Sequence, residues 1–223
     1  MSVIAITGAA SGIGAGLADR FAEDGWSVAG CDLDPCTTEL AMKADVTDGG
    51  DMEAFVTGTL DRFGRLDALI ANAGTGRFAS IADGEWPDIE DVIRVNLFGV
   101  LHSVRAALRP MRSQRYGRIA VVVSRNAELC PANLVGYNAS KASAAAVVRT
   151  LSRELEETDI LVNGLIPGPT KTPLNPRGTR EPDSCYPTAK TLATLPAGGP
   201  SGKTFFDEQE YPLFKLFVDE TPR

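Results

Sequence analysis

Residues 3–14 read VIAITGAASGIG and decide the fold class, because a short apolar run passes directly into a glycine-rich turn and then into a helical pattern. The first five residues are mostly β-branched and apolar, which is typical of a strand that is buried on both faces. Gly8, Gly12 and Gly14 permit a tight turn and a close approach of another group to the backbone. A helix that follows presents free N–H groups at its N-terminus. We therefore predict a strand–turn–helix unit able to bind a pyrophosphate.

The same alternation of apolar runs and helical patterns continues along the chain. Strands are predicted at residues 3–7, 27–32, 42–45, 66–72, 118–124, 160–166 and 203–207. Helices are predicted at residues 13–23, 49–63, 88–112, 137–157 and 188–195. This order favours an α/β fold, a Rossmann-type doubly wound parallel sheet of about seven strands flanked by helices. The link between residues 32 and 45 is short, so we expect a turn there instead of a helix.

Length and composition predict a single domain over residues 1–223. Residues 173–187, rich in Pro, Gly and Arg, are expected to form an irregular excursion on the substrate side, and residues 208–223 an apolar C-terminal tail.

The net charge of −7 disfavours nucleic acid or an anionic membrane as a partner. We expect no membrane span and no signal peptide. Four scattered cysteines favour reduced thiols in a cytoplasmic protein. With one histidine, His102, in a helical pattern, we expect no metal site.

Residues able to contact a ligand follow the predicted strands at their carboxyl ends, where open α/β sheets bind ligands. They are Asp32, Asp45-Val46, Asn72-Ala73-Gly74, Ser124 and Pro167-Gly168. Asp32 can accept hydrogen bonds from the hydroxyls of an adenosine ribose and would repel a 2′-phosphate, which predicts NAD as the cofactor. Two alternatives to this interpretation remain: Asp32 has no role in cofactor binding and simply ends a strand, or the protein uses NADPH.

Tyr137 and Lys141 are four residues apart and would share one face of the predicted helix at residues 137–157. A phenol has a pKa near 10, and a neighbouring ammonium favours the phenolate, so Lys141 could make Tyr137 a usable proton acceptor. Ser124 could hold the oxygen of a substrate from the other side. Such a Tyr–Lys pair also arises by chance, so the pair indicates a catalytic role only if its position in the fold fits one.

The motifs together closely resemble those of the short-chain dehydrogenase/reductase family. The resemblance runs from Thr7 to about Leu174 and includes the glycine turn, Asn72-Ala73-Gly74, Asn96, Ser124, Tyr137-x-x-x-Lys141 and Pro167-Gly168-x-x-x-Thr172. The stretch GGPSGK at residues 198–203 loosely resembles carbonyl-reductase-like members.

The resemblance implies a role for each matching residue. Tyr137 would be the acid/base, Ser124 would orient the substrate oxygen, Lys141 would support the Tyr137 anion and hold the nicotinamide ribose, and Asn96 would anchor a water that links Lys141 to solvent. The implied cofactor-binding residues are Gly8, Ser11, Gly12, Ile13, Gly14, Asp32, Asp45, Val46, Asn72, Ala73, Gly74, Tyr137, Lys141, Pro167, Gly168 and Thr172.

The resulting expectation is an NAD-dependent oxidoreductase that interconverts a secondary alcohol and a ketone. The alternatives are an NADPH-dependent carbonyl reductase and a non-catalytic NAD-binding regulatory protein. The family habit implies a homodimer or homotetramer built on the predicted helices at residues 88–112 and 137–157. Arg125 departs from the family, which usually has a small residue there. Three alternatives follow: a repositioned loop, an anionic substrate, or an arginine that simply reaches solvent. Arg125, Asn126, Glu128, Leu129, Leu174 and Asn175 are the expected substrate lining.

Overall fold

The computed structural model describes residues 1–214, and within them the chain forms one eight-stranded sheet with helices on both faces. The strands are β1 (Val3–Thr7), β2 (Ser27–Asp32), β3 (Leu40–Lys43), β4 (Ala68–Ala71), β5 (Gly117–Val122), β6 (Ile160–Leu165), β7 (Thr204–Phe206) and β8 (Gln209–Glu210). The helices are α1 (Gly12–Glu23), α2 (Gly49–Phe63), α3 (Trp86–Ile93), α4 (Gly99–Gln114), α5 (Asn126–Leu129), α6 (Val135–Glu154) and α7 (Tyr186–Ala193), with a π-helical segment at Arg94–Phe98 between α3 and α4.

The sheet order is β3-β2-β1-β4-β5-β6-β7-β8, and every pair is parallel except β7 with β8. Strands β1, β4, β5 and β6 are buried along their whole length, which explains their continuously apolar sequences. One core cluster lies between the sheet and helices α2, α4 and α6, and a second lies between the sheet and helices α1 and α7. The predicted doubly wound α/β sheet is confirmed.

Local signals set the ends of several elements. Helix α2 begins where the Asp48 carboxylate accepts hydrogen bonds from the N–H groups of Gly50 and Asp51, and it ends at Gly64, whose φ is +78°. At the start of β5 the Arg118 side chain is 1% exposed. Its guanidinium pairs with the Asp159 carboxylate at 2.9 Å and donates to the backbone oxygen of Leu195 at 2.7 Å. This buried ion pair ties β5 to the segment that enters β6.

Two strand predictions were displaced along the chain. The strand expected at residues 42–45 is β3 at Leu40–Lys43, because Asp32, the last residue of β2, pairs with Lys43 and the ladder ends there. Asp45 therefore lies in the following turn, where its N–H donates to the Asp51 carboxylate at 2.8 Å. The strand expected at residues 66–72 is only Ala68–Ala71, so Asn72 begins the loop after β4. The expected absence of a helix between β2 and β3 is confirmed.

The helix expected at residues 88–112 is interrupted by the π-helical segment Arg94–Phe98, in which Asn96 is fully buried. Helix α6 begins two residues before the predicted start, at Val135, and keeps Tyr137 and Lys141 within one helix. The short helix α5 and the two-residue strand β8 had not been predicted. Within residues 1–214, no helix combines the length and the apolar character that crossing a bilayer requires.

Residues 173–187 are irregular up to the start of α7, as expected, and this excursion packs against α1, where a side chain added at Gly16 would lie 2.9 Å from the Asp183 nitrogen. Of the predicted tail at residues 208–223, Leu213 is buried in the core that faces α2, α4 and α6. Residues 215–223 lie outside the part of the chain that the structure describes.

Candidate active site

The glycine turn brings the start of α1 against the end of β1. Gly8 and Gly12 have φ values of +68° and +54°, a region that favours glycine. A Cβ on Gly14 would lie 1.9 Å from the Gly8 carbonyl oxygen, so a side chain cannot fit there. Helix α1 has no side-chain cap from Ser11 and no acidic residue in its first turn. Its first N–H groups are therefore available to an anion.

Asn72 and Asp32 hold this turn from the neighbouring strands. The Asn72 amide nitrogen donates to the backbone oxygens of Thr7 and Gly8 at 2.9 and 3.1 Å, and the Thr7 hydroxyl accepts from the N–H groups of Asn72 and Ala73. The Asp32 carboxylate accepts a hydrogen bond from the Ala10 nitrogen at 3.0 Å. The structure thus gives Asn72 a positioning role, and it places the Asp32 carboxylate beside the turn, where a ribose could meet it.

Asp45 and Val46 occupy the turn after β3. The Asp45 carboxylate accepts from both the N–H and the hydroxyl of Thr47 at 2.8 Å. Val46 is 8% exposed, and its side chain packs against Gly99 in helix α4. Most of the Val46 side chain is therefore in the core and not available to a ligand. The His102 ring nitrogen Nδ1 lies 3.1 Å from the Val46 oxygen, so this histidine is engaged away from the cleft.

Ser124, Tyr137 and Lys141 meet at the carboxyl edge of the sheet. Ser124 lies in the turn between β5 and α5, and its side chain lies beside the phenol of Tyr137 on α6. Lys141, one helical turn further along α6, has its ammonium 5.8 Å from the centroid of the Tyr137 ring. The same ammonium donates to the backbone oxygen of Val122, the last residue of β5, at 2.8 Å. The three groups, which the sequence predicted to act together, thus lie close to one another.

Burial dominates the acid–base properties of this cluster. It raises the pKa of the Tyr137 phenol above its usual value, and the neighbouring Ser124 hydroxyl offsets this only in part. Burial also lowers the pKa of the Lys141 ammonium from its usual 10.5 to about 8. The expectation that Lys141 makes Tyr137 more acidic is thus not met in the protein alone. Desolvation outweighs an ammonium that faces the ring instead of the hydroxyl.

Asn96 connects the loop after β4 to helix α6. Its amide oxygen accepts from the Thr75 nitrogen at 2.8 Å, and its amide nitrogen donates to the Thr75 oxygen at 2.9 Å and to the Ser140 hydroxyl at 3.0 Å. These bonds give the buried amide a partner at each end, which explains why an asparagine is stable within a helical segment. A Cβ on Gly74 would lie 3.2 Å from the Asn96 amide oxygen and 3.6 Å from the Lys141 ammonium. Asn96 therefore lies close to Lys141, although its side chain is used for positioning.

The segment after β6 closes the other side of the site. Pro167 is buried, and Gly168 has a φ of +79°. The Thr172 methyl group lies 3.1 Å from the position that a Cβ on Gly12 would take. The segment therefore extends from β6 across to the glycine turn.

A cleft of about 400 Å³ lies between these elements. Its lining includes the predicted residues Ile13, Asn72, Ser124, Arg125, Asn126, Leu129, Tyr137, Pro167, Gly168, Thr172, Leu174 and Asn175, together with Gly76, Phe78 and Leu134, which sequence reasoning missed. Glu128, expected in the lining, is not part of it. Phe78 is a single aromatic in a loop and carried no periodic signal.

Comparison with known proteins agrees with this geometry. The family described as short chain dehydrogenase matches residues 2–182. This chain belongs to the short-chain dehydrogenase family. It is 34% identical over 209 residues to the 3-oxoacyl-(acyl-carrier-protein) reductase of Thermotoga maritima, covering 88% of this chain and 83% of that protein.

Solved structures of other dehydrogenases and reductases share the fold. A 3-ketoacyl-(acyl-carrier-protein) reductase from Brucella melitensis, in complex with NADH, is similar with a TM-score of 0.84 and 30% identity, over 91% of this chain and 95% of that one. A levodione reductase is similar with a TM-score of 0.85 and 26% identity, over 91% and 94% of the two chains. The short-chain dehydrogenase family comprises oxidoreductases that bind a nicotinamide cofactor, and its members are commonly oligomeric.

The residues of this short-chain dehydrogenase fit such a dinucleotide. Helix α1 has no side-chain cap and Gly14 has no side chain, so a pyrophosphate can come close to the N-terminus of the helix. The Asp32 carboxylate lies beside the same turn. Thr172 and Gly168 line the cleft between this turn and Tyr137. We propose that Gly8, Ser11, Gly12, Ile13 and Gly14 hold the pyrophosphate and that Lys141 holds the nicotinamide ribose, as the family resemblance implies.

The lowered pKa of Lys141 predicts a pH-dependent contribution to the stability of the dehydrogenase. In the unfolded chain the lysine titrates near 10.5, so between about pH 8 and 10.5 the unfolded state binds more protons than the folded state. Stability therefore rises with pH in this window. Relative to a Lys141→Met variant, we expect the wild type to gain about 1.5 kcal/mol between about pH 8 and 9.5.

Denaturant unfolding of both proteins across this pH range checks the prediction, because groups other than Lys141 titrate equally in both and cancel in the difference. A difference that stays constant with pH would contradict the buried, lowered-pKa environment of Lys141.

Proposed function

We propose that the protein is an NAD-dependent oxidoreductase that interconverts a secondary alcohol and a ketone. The observation that supports this most strongly is that Ser124 and Tyr137 line a cleft that also reaches Ile13 and Thr172 beside the glycine turn, with the Lys141 ammonium buried against the Tyr137 ring. This arrangement supports a role for Tyr137 in proton transfer to or from a substrate bound beside a nicotinamide. Sites at the carboxyl edge of a doubly wound sheet commonly bind dinucleotides.

In the oxidising direction, Tyr137 in its phenolate form takes the hydroxyl proton of the alcohol while the carbinol carbon loses a hydride and the carbonyl bond forms. Ser124 donates a hydrogen bond to the substrate oxygen, and this bond matters most while negative charge is present there. When bound, the nicotinamide supplies the hydride acceptor and, in its oxidised form, a positive charge that favours the phenolate. Reduction of the ketone runs through the same groups in reverse, with Tyr137 as the acid.

Lys141 is suited to exchange protons with this centre. Its pKa of about 8 lies within reach of ordinary pH, so that it can both donate and accept a proton. Asn96 holds the loop that carries Gly74 against Lys141. We propose that Asn96 acts as a positioning residue here, and that the expected water between Lys141 and solvent would bind the backbone of the π-helical segment, since the Asn96 amide already has protein partners.

A panel of secondary alcohols and ketones with NAD(H) and with NADP(H), followed by the absorbance of the reduced nicotinamide, tests the activity. We expect turnover of at least one secondary alcohol or ketone, and faster turnover with NAD(H). Tight binding of a dinucleotide without turnover of any compound in a broad panel would instead support the non-catalytic regulatory alternative.

Replacing Asp32 with serine is expected to change the preference between the two dinucleotides. The carboxylate repels a 2′-phosphate and accepts hydrogen bonds from a ribose, so its loss weakens NADH binding and strengthens NADPH binding. We expect the ratio of the two dissociation constants to shift by about tenfold or more, which is about 1.4 kcal/mol. Fluorescence titration with NADH and NADPH measures it.

The matched control for this test is Asp61→Ser, which removes an exposed carboxylate from helix α2. It should leave the ratio unchanged. Tighter binding of NADPH than of NADH by the wild type would refute the role of Asp32 and make the protein an NADPH-dependent reductase.

We also propose a homodimer or homotetramer located in the cytoplasm, acting on a small molecule. Phe98 and Leu101, beside and on helix α4, are 48% and 39% exposed, an apolar surface that a second copy could cover. On helix α6, Ala144 and Ala145 are buried in the core, which leaves Ala139 and Ala146 for contacts with another copy. The four cysteines are unpaired, as in proteins of reducing compartments.

A further inference from the structure

The cleft contains a cation that the proposed chemistry does not use. Arg125 directly follows Ser124 in the chain, lines the cleft and is half-buried. Its guanidinium lies 5.3 Å from the centroid of the Phe206 ring at the end of β7. Among the residues that the structure describes, no carboxylate pairs with it, whereas Arg180, which stacks on the same ring at 5.2 Å, pairs with Asp207 at 2.6 Å.

A half-buried guanidinium that lacks an anion has lost part of its hydration without compensation. The Phe206 ring restricts the orientations of the Arg125 side chain, so less freedom would be lost when it binds a ligand. A planar guanidinium matches a carboxylate or a phosphate through two parallel hydrogen bonds. These properties are those of an anion-binding group whose partner comes from outside the chain.

Three exposed apolar side chains also line the cleft. Phe78, Leu129 and Leu174 line it and are 85%, 65% and 47% exposed. Large apolar side chains that share a rim in this way are typical of ligand-binding surfaces. The same cleft therefore contains one cationic group, several exposed apolar side chains and the oxygen-binding pair Ser124 and Tyr137.

We propose that Arg125 is an anion subsite, and that the substrate is a hydroxy acid or oxo acid, or a phosphorylated counterpart, with an apolar substituent that rests on Phe78, Leu129 and Leu174. This inference rests on the proposed oxidoreductase function and names the class of its substrate. Because Arg125 directly follows Ser124 and both residues line the cleft, we expect the anionic group to lie near the reacting carbon.

Binding to the Tyr137→Phe variant tests the subsite without turnover. The probes are benzoylacetate, its uncharged methyl ester and phenacylphosphonate, each titrated by calorimetry in the presence of whichever of NADH and NADPH binds more tightly. We expect benzoylacetate or the phosphonate to bind about tenfold or more tightly than the ester, as is typical of a charge-assisted bond. Whichever of benzoylacetate and phenacylphosphonate binds more tightly indicates whether the substrate carries a carboxylate or a phosphate group.

Adding Arg125→Gln should bring the affinities for the anions and the ester close together. Arg125→Lys should retain only part of the difference, because lysine keeps the positive charge but cannot donate two parallel hydrogen bonds to one anion. Lys171→Gln is the matched control, since it removes an exposed cation from the segment after β6. It should leave the preference intact. Equal binding of anions and ester with Arg125 present, a preference that survives Arg125→Gln, or no binding of any probe would overturn the proposal.

The outcomes also separate this inference from the proposed function. If the wild type binds benzoylacetate through Arg125 but oxidises NADH and NADPH neither with it nor with any other compound of the panel, the subsite stands and the oxidoreductase proposal fails. If the wild type reduces the methyl ester and benzoylacetate without preferring either, the function stands and the subsite is rejected.

Discussion

Replacing Tyr137 with phenylalanine is expected to lower kcat/KM by about 10²- to 10⁴-fold, the usual contribution of a positioned acid or base. The change removes one hydroxyl and keeps the ring that lies against Lys141 and near Gly76. The fold and the affinity for NADH should therefore be unchanged. Steady-state kinetics on any substrate found in the panel measures the loss, and fluorescence titration with NADH measures the binding.

Tyr116→Phe is the matched control, because it removes a phenol near the start of β5, at the opposite edge of the sheet. The Tyr116 ring stacks on Arg118 at 4.2 Å, and phenylalanine preserves this contact. Kinetic constants of the control should equal those of the wild type. Near wild-type turnover by Tyr137→Phe would reject Tyr137 as the acid/base, and equal losses in both variants would point to a structural effect.

Replacing Gly14 with alanine is expected to abolish measurable dinucleotide binding and to lower the free energy of unfolding by about 3 kcal/mol. The new methyl group would lie 1.9 Å from the Gly8 oxygen and 2.6 Å from the Asn72 amide nitrogen. The first of these atoms is backbone, so the clash is relieved only if the start of α1 moves away from the turn. That movement would displace the N–H groups that the pyrophosphate needs.

Gly58→Ala on helix α2 is the control for this substitution. A Cβ there would lie 3.0 Å from the Met42 sulfur, which belongs to a flexible side chain that can shift. The better helix propensity of alanine offsets the crowding, so we expect a change within about 1 kcal/mol and normal NADH binding. Denaturant unfolding and NADH titration measure both variants. A Gly14→Ala protein with normal stability and normal NADH affinity would contradict the close packing of the turn.

The main elements were predictable because their sequences carry local signals. Strand β1 and helix α2 have the predicted bounds, since the first is a buried apolar run and the second has Asp48 at its start and Gly64 at its end. The cluster of Ser124, Tyr137 and Lys141 was predictable because the carboxyl ends of parallel strands share one edge. The order of the strands and helices could be read from the sequence, and in a parallel sheet that order determines which residues lie close together.

Other features depend on contacts between distant residues and left no local pattern. The π-helical segment is stabilised by bonds from Asn96 to Thr75 and Ser140, which no periodicity reveals. Strand β8 depends on a tight turn in which Asp207 and Glu208 have φ values of +48° and +63°. The raised pKa of Tyr137 results from burial, which only the packed structure determines.

A crystal structure of the wild type with bound NADH tests the central claim most directly. We expect the pyrophosphate at the N-terminus of α1, between Gly8 and Gly14, and the nicotinamide in the cleft, with its reactive carbon facing the hydroxyls of Tyr137 and Ser124. A dinucleotide bound outside this cleft, or a nicotinamide ring turned away from Tyr137, would contradict the account.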